Sequence, residues 1–180
     1  PREIEALAAV TRSQALAVRA ELFHKGDAGT QVYAVAAGTL KVVTSSDEGD
    51  DVVLNLLGPG AVIGEVAVLC NAARSASVVA LTDCELLAIE RRDLLAFLRS
   101  HPDASLALMS TLAERLRHLS ELVEDTLFLN LPVRLAKKLV ELGRSHGQRT
   151  SEGLRIDLKL SQGEWGDLVG ATRESINKQL

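Results

Sequence analysis

Apolar residues recur through the first half of the chain in short runs, at residues 17–23, 31–36, 39–44, 52–57, 77–81 and 85–89. Turn material separates them: Gly26, Asp27, Ala28 and Gly29, then Gly38, the stretch 45–51, Gly58-Pro59-Gly60, and Thr82-Asp83. Runs of this length at such regular spacing predict strands of a closed or rolled antiparallel β structure. Ahead of them, Ile4, Leu7 and Ala8 fall at helical spacing, which predicts a short helix over residues 1–9. The strand pattern breaks once, between residues 58 and 76. Gly58 to Gly64 is permissive backbone, and residues 65–70 leave the sheet long enough for a helical turn before Ser77 resumes it. A rolled sheet interrupted there has a place to cover a ligand.

From Arg91 the period changes to that of a helix. Residues 92–100 predict a short helix stopped at His101-Pro102, because proline cannot continue one and biases its predecessor away from helix. A long helical pattern then runs to about residue 130. Within it Met109, Leu112, Leu116, Leu119 and Val123 follow alternating steps of three and four, bordered by Arg115, Arg117, His118, Glu121 and Glu124. Such a narrow seam predicts a coiled coil and hence a homodimer; an ordinary helix packed on its own domain is the alternative. Asn130 and Pro132 form a joint, a good N-cap followed by a proline tolerated in the first turn. The helix it starts runs to about residue 145, with Leu131, Leu135, Leu139 and Leu142 on one face. Residues 146–153 read as a polar loop, and 154–160 alternate as a half-buried strand. Ser161 and Glu164 make a capping box, Gly170 stops the helix, and Thr172 caps a following segment at 173–180. Two short helices about a glycine-containing turn predict a helix-turn-helix, with Gly166 at the contact and Trp165, Leu168, Val169 and Ile176 between them. An unrelated pair of packed helices is the alternative.

Composition narrows the class. The 180 residues are 47% apolar, 24% charged and only 3% aromatic, within the range of globular proteins of one or two domains. No stretch reads as a signal peptide or reaches membrane-spanning length, so a cytoplasmic protein with no membrane partner is expected. Cys70 and Cys84 have no C-x-x-C partner or nearby histidine, too few ligands for zinc or an iron-sulfur cluster, and read as small buried hydrophobes. The net charge of −4 is uneven. Residues 131–180 hold nine Lys/Arg against six Asp/Glu, whereas residues 1–130 hold eleven against eighteen. A basic segment behind an acidic one points to two domains with different partners, the basic one weakly toward nucleic acid. His24, His101, His118 and His146 are scattered singly, and no nucleophile, base and orienting group fall together, so an enzyme is not expected.

The chemistry concentrates at residues 64–78. Gly64 opening a helical turn lets backbone N–H groups converge on a phosphate, and Arg74 among small residues adds a bidentate fork. Glu65 cannot hold an anion; beside a phosphate it makes sense as an acceptor for ribose hydroxyls. Phosphate with ribose means a nucleotide. Locally, the alternative is an ion pair between Glu65 and Arg74 across a surface turn.

Two motifs then carry a resemblance, G-E-V-A…R-S-A at residues 64–76 and L-S-Q-x-E-x-x-x-L-V-G-A-T-R-E-S-I at 160–176. Over essentially its whole length the chain resembles the cyclic AMP receptor protein, or Crp/Fnr-type, family of bacterial transcription regulators. The resemblance implies an α+β fold: a β-roll of double-stranded β-helix or jelly-roll type over residues 1–101, a long dimerisation helix and hinge over 102–130, and a winged helix-turn-helix over 131–180. It implies cyclic AMP as effector, without metal, haem or iron-sulfur cluster. Gly64 and Val66 would offer backbone to the ligand, Glu65 would take the ribose 2′-OH, and Arg74 with Ser75 would hold the cyclic phosphate. Arg115 would reach the site from the long helix. Partners would be a palindromic double-stranded DNA operator, a second copy of the chain, and RNA polymerase. Thr172, Arg173, Glu174 and Lys178 are the expected DNA contacts: Arg173 for a guanine edge, Glu174 for a cytosine amino group, Lys178 for a base or phosphate. One departure stands out. Cyclic AMP-type relatives carry Thr-Ser on the long helix against adenine, where this chain has Leu119-Ser120. Looser base discrimination and partial activity without ligand are therefore expected. The family's recognition helix also continues into a wing, so Leu180 is expected to be a truncation or limit of order, and Pro1 not an initiator terminus. A family member answering to another ligand or to none is the nearer alternative, and a cyclic-nucleotide-regulated subunit or enzyme without DNA binding the more distant one.

Overall fold

In the computed structural model, which describes residues 7, 10–45, 51–151, 153–156, 158 and 160–179, the apolar runs become two four-stranded antiparallel sheets. One holds β1 (Thr11–Leu16), β8 (Cys84–Glu90), β3 (Gln31–Ala37) and β6 (Val62–Ile63), in that order. The other holds β2 (Glu21–Phe23), β7 (Ser77–Ala80), β4 (Leu40–Ser45) and β5 (Asp51–Leu57). Inward residues of both, including Leu16, Tyr33, Val35, Leu40, Leu57, Val78 and Leu86, share one buried cluster, which makes the pair a roll. The expected helix at 1–9 lies, apart from Leu7, outside the described residues. So do residues 46–50 of the β4–β5 turn.

Three strands differ from expectation, each for a local reason. The run 17–23 is broken at Arg19, whose φ of 67° turns the chain, so only its end pairs as β2. β1 precedes it as an edge strand against β8; four of its six residues are exposed, so it carries no apolar alternation. β9 (Gly147–Thr150) pairs antiparallel with β10 (Gly153–Ile156) where a loop and a longer strand were expected. Of the two cysteines, Cys84 is buried as expected but Cys70 is exposed, because α1 (Glu65–Cys70) turns its last residue outward.

The helices follow their punctuation. α2 (Arg91–Ser100) ends at His101, and α3 (Pro102–Phe128) starts with its proline in the first turn. None of the 27 residues of α3 is buried: Leu106, Met109, Leu116, Leu119, Val123, Leu127 and Phe128 all stand exposed. The Asn130 side chain accepts from Val133 N at 3.2 Å and caps α4 (Leu131–His146). Two contacts brace the joint: Lys137 pairs with Asp125 at 2.6 Å, and Arg134 donates to the carbonyls of Thr126 and Gly170.

α5 (Gln162–Val169) has both halves of its capping box, and Gly170 ends it at φ 64°. Thr172 then caps α6 (Arg173–Asn177) by accepting from Ser175 N. Gly166 is obligatory at the contact, since a Cβ there would lie 2.4 Å from the Ala171 carbonyl oxygen. The core between these helices is wider than expected. Beyond Leu135, Leu142, Leu168, Val169 and Ile176 it takes in Val43 and Val53 of the roll, with Trp165 and Leu56 packed against it. A β-bulge explains how. Val42 pairs with Asn55 but Val43 with Val53, so Leu54 is an extra residue that lets Val53 and Leu56 face the same side.

Candidate nucleotide cassette and DNA-reading head

The cassette is built around two buried charges. Gly64, at φ 86°, precedes α1 and turns the chain so that Glu65 points inward with 2% of its surface exposed. Arg74, 5% exposed, lies over the Phe23 ring at 4.1 Å and donates to the carbonyls of Gly64 (2.9 Å) and Gln31 (2.8 Å). The positive φ at position 64 favours glycine, and a Cβ there would lie 2.4 Å from Arg74 Nη1 and 3.1 Å from the Gln31 carbonyl oxygen, so a larger residue would push the Arg74 guanidinium from its place. Burial pulls the Arg74 pKa below its ordinary value; Tyr33, Asp27 and Glu65 act in the opposite sense. Burial likewise raises Tyr33, whose hydroxyl donates to Gln31 Oε1.

Glu65 does not pair with Arg74. Its partner is Arg115 of α3, whose Nη1 donates to Glu65 Oε1 at 2.5 Å while Nη2 donates to the Val62 carbonyl. The long helix is thereby tied to the cassette at the residue expected to reach it. Two buried side-chain atoms of the cassette have no hydrogen-bond partner among the described residues, Glu65 Oε2 and Arg74 Nε. Both residues line one cavity of about 50 Å³, walled by Phe23, Val42, Ile63, Ala76 and Val78 and edged by Gly64, Val66 and Ser75.

The structure thus brings Gly64, Glu65, Val66, Arg74 and Ser75 together, with Arg115 joined to them. It does not bring Leu119 or Ser120 to this cavity. Leu119 is 40% exposed on the apolar stripe, and Ser120 Oγ donates to the Leu116 carbonyl of its own helix. Sequence reasoning missed Phe23, Val42, Val62 and Gln31. Alternation along β4 could have placed Val42 inward; the others depend on pairings with no local mark.

At the other end Thr172, Arg173, Glu174 and Lys178 are all exposed on or beside α6, which Ile176, fully buried, anchors from beneath. Gln162 Nε2 donates to Asn177 Oδ1 at 2.9 Å, tying the start of α5 to α6. Among the described residues no three His, Cys, Asp or Glu side chains converge in a way that could hold a metal ion, and no helix is long and apolar enough to cross a membrane.

Comparison with known proteins meets this geometry from outside. Residues 13–101 match the cyclic nucleotide-binding domain family, and residues 133–180 match the Crp-like helix-turn-helix domain family. The chain is 30% identical over 159 residues to the CRP-like cAMP-activated global transcriptional regulator of Mycobacterium tuberculosis, covering 88% of this chain and 71% of that protein. It is 35% identical over 159 residues to the cyclic AMP receptor protein of Thermus thermophilus, covering 88% and 70%. Among solved structures, the c-di-GMP responsive global regulator CLP of Xanthomonas campestris superposes with a TM-score of 0.84 at 24% identity, over 99% of this chain and 89% of that one. At that identity the likeness carries the fold alone.

Proposed function

The chain belongs to the Crp/Fnr family, DNA-binding transcription regulators rather than enzymes, and from that premise we propose a cytoplasmic homodimer whose affinity for a palindromic operator is set by cyclic AMP in the Glu65 and Arg74 cassette. The observation that carries this reading is that the two cassette residues with an unmet buried atom, an acceptor on Glu65 and a donor on Arg74, line one small cavity. A buried polar group without a partner costs about 1–3 kcal/mol, so a ligand that offers a hydroxyl to one and an anionic oxygen to the other recovers both. A ribose cyclic phosphate presents those two groups side by side.

A volume of 50 Å³ is well below the roughly 300 Å³ at which ligand pockets begin, so binding requires the cavity to widen. Arg115 holds Glu65 meanwhile, and ligand entry therefore acts on α3 directly. Exposure of the α3 stripe supports a second copy as the cover for that helix. Each copy then presents Thr172, Arg173, Glu174 and Lys178 to one half-site, with half-sites about one helical turn apart.

Calorimetric titration with cyclic AMP and cyclic GMP tests the reading. Saturable binding of cyclic AMP, lost in Arg74→Ala while the thermal unfolding profile is kept, is the expected result. A variant that binds like the parent would place the ligand elsewhere.

A further inference from the structure

The cavity and the reading head share a strand. Along β4 alternate residues point to opposite sides: Leu40 joins the roll's core and Val42 walls the cavity, whereas Lys41 and Val43 face the C-terminal helices. Lys41 Nζ donates to Glu164 Oε1 at 3.3 Å, with side chains only 17% and 25% exposed. The other oxygen, Oε2, accepts from the Ser161 N–H and hydroxyl, both at 2.9 Å. One carboxylate thus closes the capping box of α5 and bolts that helix to the roll, across 123 positions of sequence.

We propose that Lys41 is a positioning residue for DNA reading: through Glu164 it seats α5 on the roll, and β4 carries a change at Val42 to that seat. The ligand-dependent half of this proposal rests on the cyclic-nucleotide reading above; the seating of α5 does not. The physical argument is about which wall yields. To admit a nucleotide, a cavity of 50 Å³ must grow severalfold. Of the walls, Val78, Ala76 and Ile63 are 0%, 7% and 8% exposed and locked into the core, whereas Phe23 and Val42 are only partly buried; Phe23 is held under the Arg74 guanidinium, and Val42 sits beside the β-bulge of β4 and β5. Movement of Val42 carries Lys41 and Val43 with it, because adjacent residues of one strand cannot shift independently. The present seat of α5 therefore belongs to the narrow cavity, and widening the cavity loosens it. By linkage, whatever stabilises the seat opposes ligand, and removing it favours ligand by the same factor.

Lys41→Met and Glu164→Gln separate this from a merely structural role, the second because glutamine keeps an oxygen for the Ser161 bonds. Both single variants and the double variant, in the full protein, are compared with the parent. Three quantities are read: DNA affinity with and without saturating cyclic AMP, cyclic AMP affinity, and emission of Trp165, the chain's single tryptophan, which neighbours Glu164 on α5. The expected result is a ligand-induced change in DNA affinity at least threefold smaller than in the parent. Cyclic AMP should bind correspondingly tighter, ligand-free emission should move toward the parent's ligand-bound value, and the double variant should go no further than either single one. Unchanged coupling in a cyclic AMP-responsive parent, or fully additive single effects, overturns the proposal. A parent that does not respond to cyclic AMP removes the nucleotide reading instead. In that case parent-like ligand-free DNA affinity and Trp165 emission in both single variants overturn the seating itself, and a change in both upholds it.

Discussion

The cassette and the reading head hold their polar groups in opposite ways. In the cassette, Glu65 and Arg74 are buried, and their partners come from 10, 43 and 50 residues away. In the reading head Ser161, Glu164, Thr172 and Ser175 bond to neighbours three residues along, near solvent. The first arrangement stores unmet bonding capacity behind low-dielectric walls, where it becomes affinity for a matching ligand. The second spends its bonds on fixing two short helices, leaving Arg173, Glu174 and Lys178 free to meet a surface. A regulator needs both, and the roll-to-head contact at Lys41 and Val43 is where the two meet.

The comparison breaks first at Arg74. Truncating one member of a desolvated charge set costs roughly 2–5 kcal/mol, so Arg74→Ala should weaken cyclic AMP binding by at least thirtyfold. DNA binding by ligand-free protein should change far less, because the Arg74 side chain bonds to Gly64 and Gln31 and lies over Phe23, all within the roll. Parallel titrations of nucleotide and operator check this; equal losses on both would mean that the two regions are not separable.

That asymmetry of range also decides what could be read from sequence. The capping box at Ser161, the stop at Gly170 and the cap at Asn130 are local and stand where their spacing put them. Most strands of the roll were legible for the same reason, as short apolar runs between stretches of turn residues. Gly64, Glu65 and Arg74 were legible as a motif, but the real partner of Glu65 was legible only through the family resemblance, because α3 folds back onto the cassette from fifty residues on. Phe23 beneath Arg74 left no trace, since β2 meets β7 through a pairing more than fifty residues long. Nor did the sequence mark Val43 and Val53 as part of the reading head's core. Their apolar character is what any strand shows, and the bulge that aims them appears only in the register.

Arg173 tests the reading head alone. Its loss should cost about 1–3 kcal/mol at one base pair per half-site and leave cyclic AMP affinity as it was. Binding to a panel of operators mutated one position at a time shows the pattern; weakening that is uniform across the panel makes Arg173 a phosphate contact.

Leu119 lies between the two regions, on the exposed stripe of α3 rather than on the cavity wall. In the proposed dimer a leucine there would favour the seam whether or not ligand is present; where the base of the nucleotide reaches α3, leucine cannot bond an adenine amino group, and an unmet buried donor costs about 1–3 kcal/mol. Leu119→Thr is therefore expected to sharpen the preference for cyclic AMP over cyclic GMP up to tenfold and to lower ligand-free DNA binding. Competition titrations of both nucleotides, run alongside operator binding with and without them, decide it. A parent silent on DNA until saturated with cyclic AMP contradicts the expectation.

A smaller effect belongs to the local bonds. Ser161→Ala removes an N-cap, with an expected cost of about 1 kcal/mol to the helix-turn-helix. Because Glu164 loses a donor as well, Trp165 emission should shift in this variant, and cyclic AMP affinity should rise only as far as the seat of α5 is loosened, since Ser161 shares no bond with the cassette itself.

The smallest expected effect is a response to acid, and it comes from the contact that joins the two regions. Burial raises the pKa of the Glu164 carboxyl, but the Ser161 N–H and hydroxyl and the charge of Lys41 outweigh it and leave the group below its ordinary value of 4.5. A carboxyl held low in the folded protein stabilises it at all pH values above the unfolded-state value, and that contribution fades as pH falls through the folded one. The seat of α5 is thus fully formed at neutral pH and should loosen only below about 4.5, where protonation discharges the bridge to Lys41. Because the pair is partly solvated, the loss is modest. Acid titration of Trp165 emission should show a midpoint below 4.5 in the parent and a higher one in Lys41→Met, which removes one of the influences holding the carboxyl down. An unmoved midpoint would mean that the Ser161 cap alone holds Glu164, and that the 3.3 Å contact with Lys41 has no hold on its ionisation.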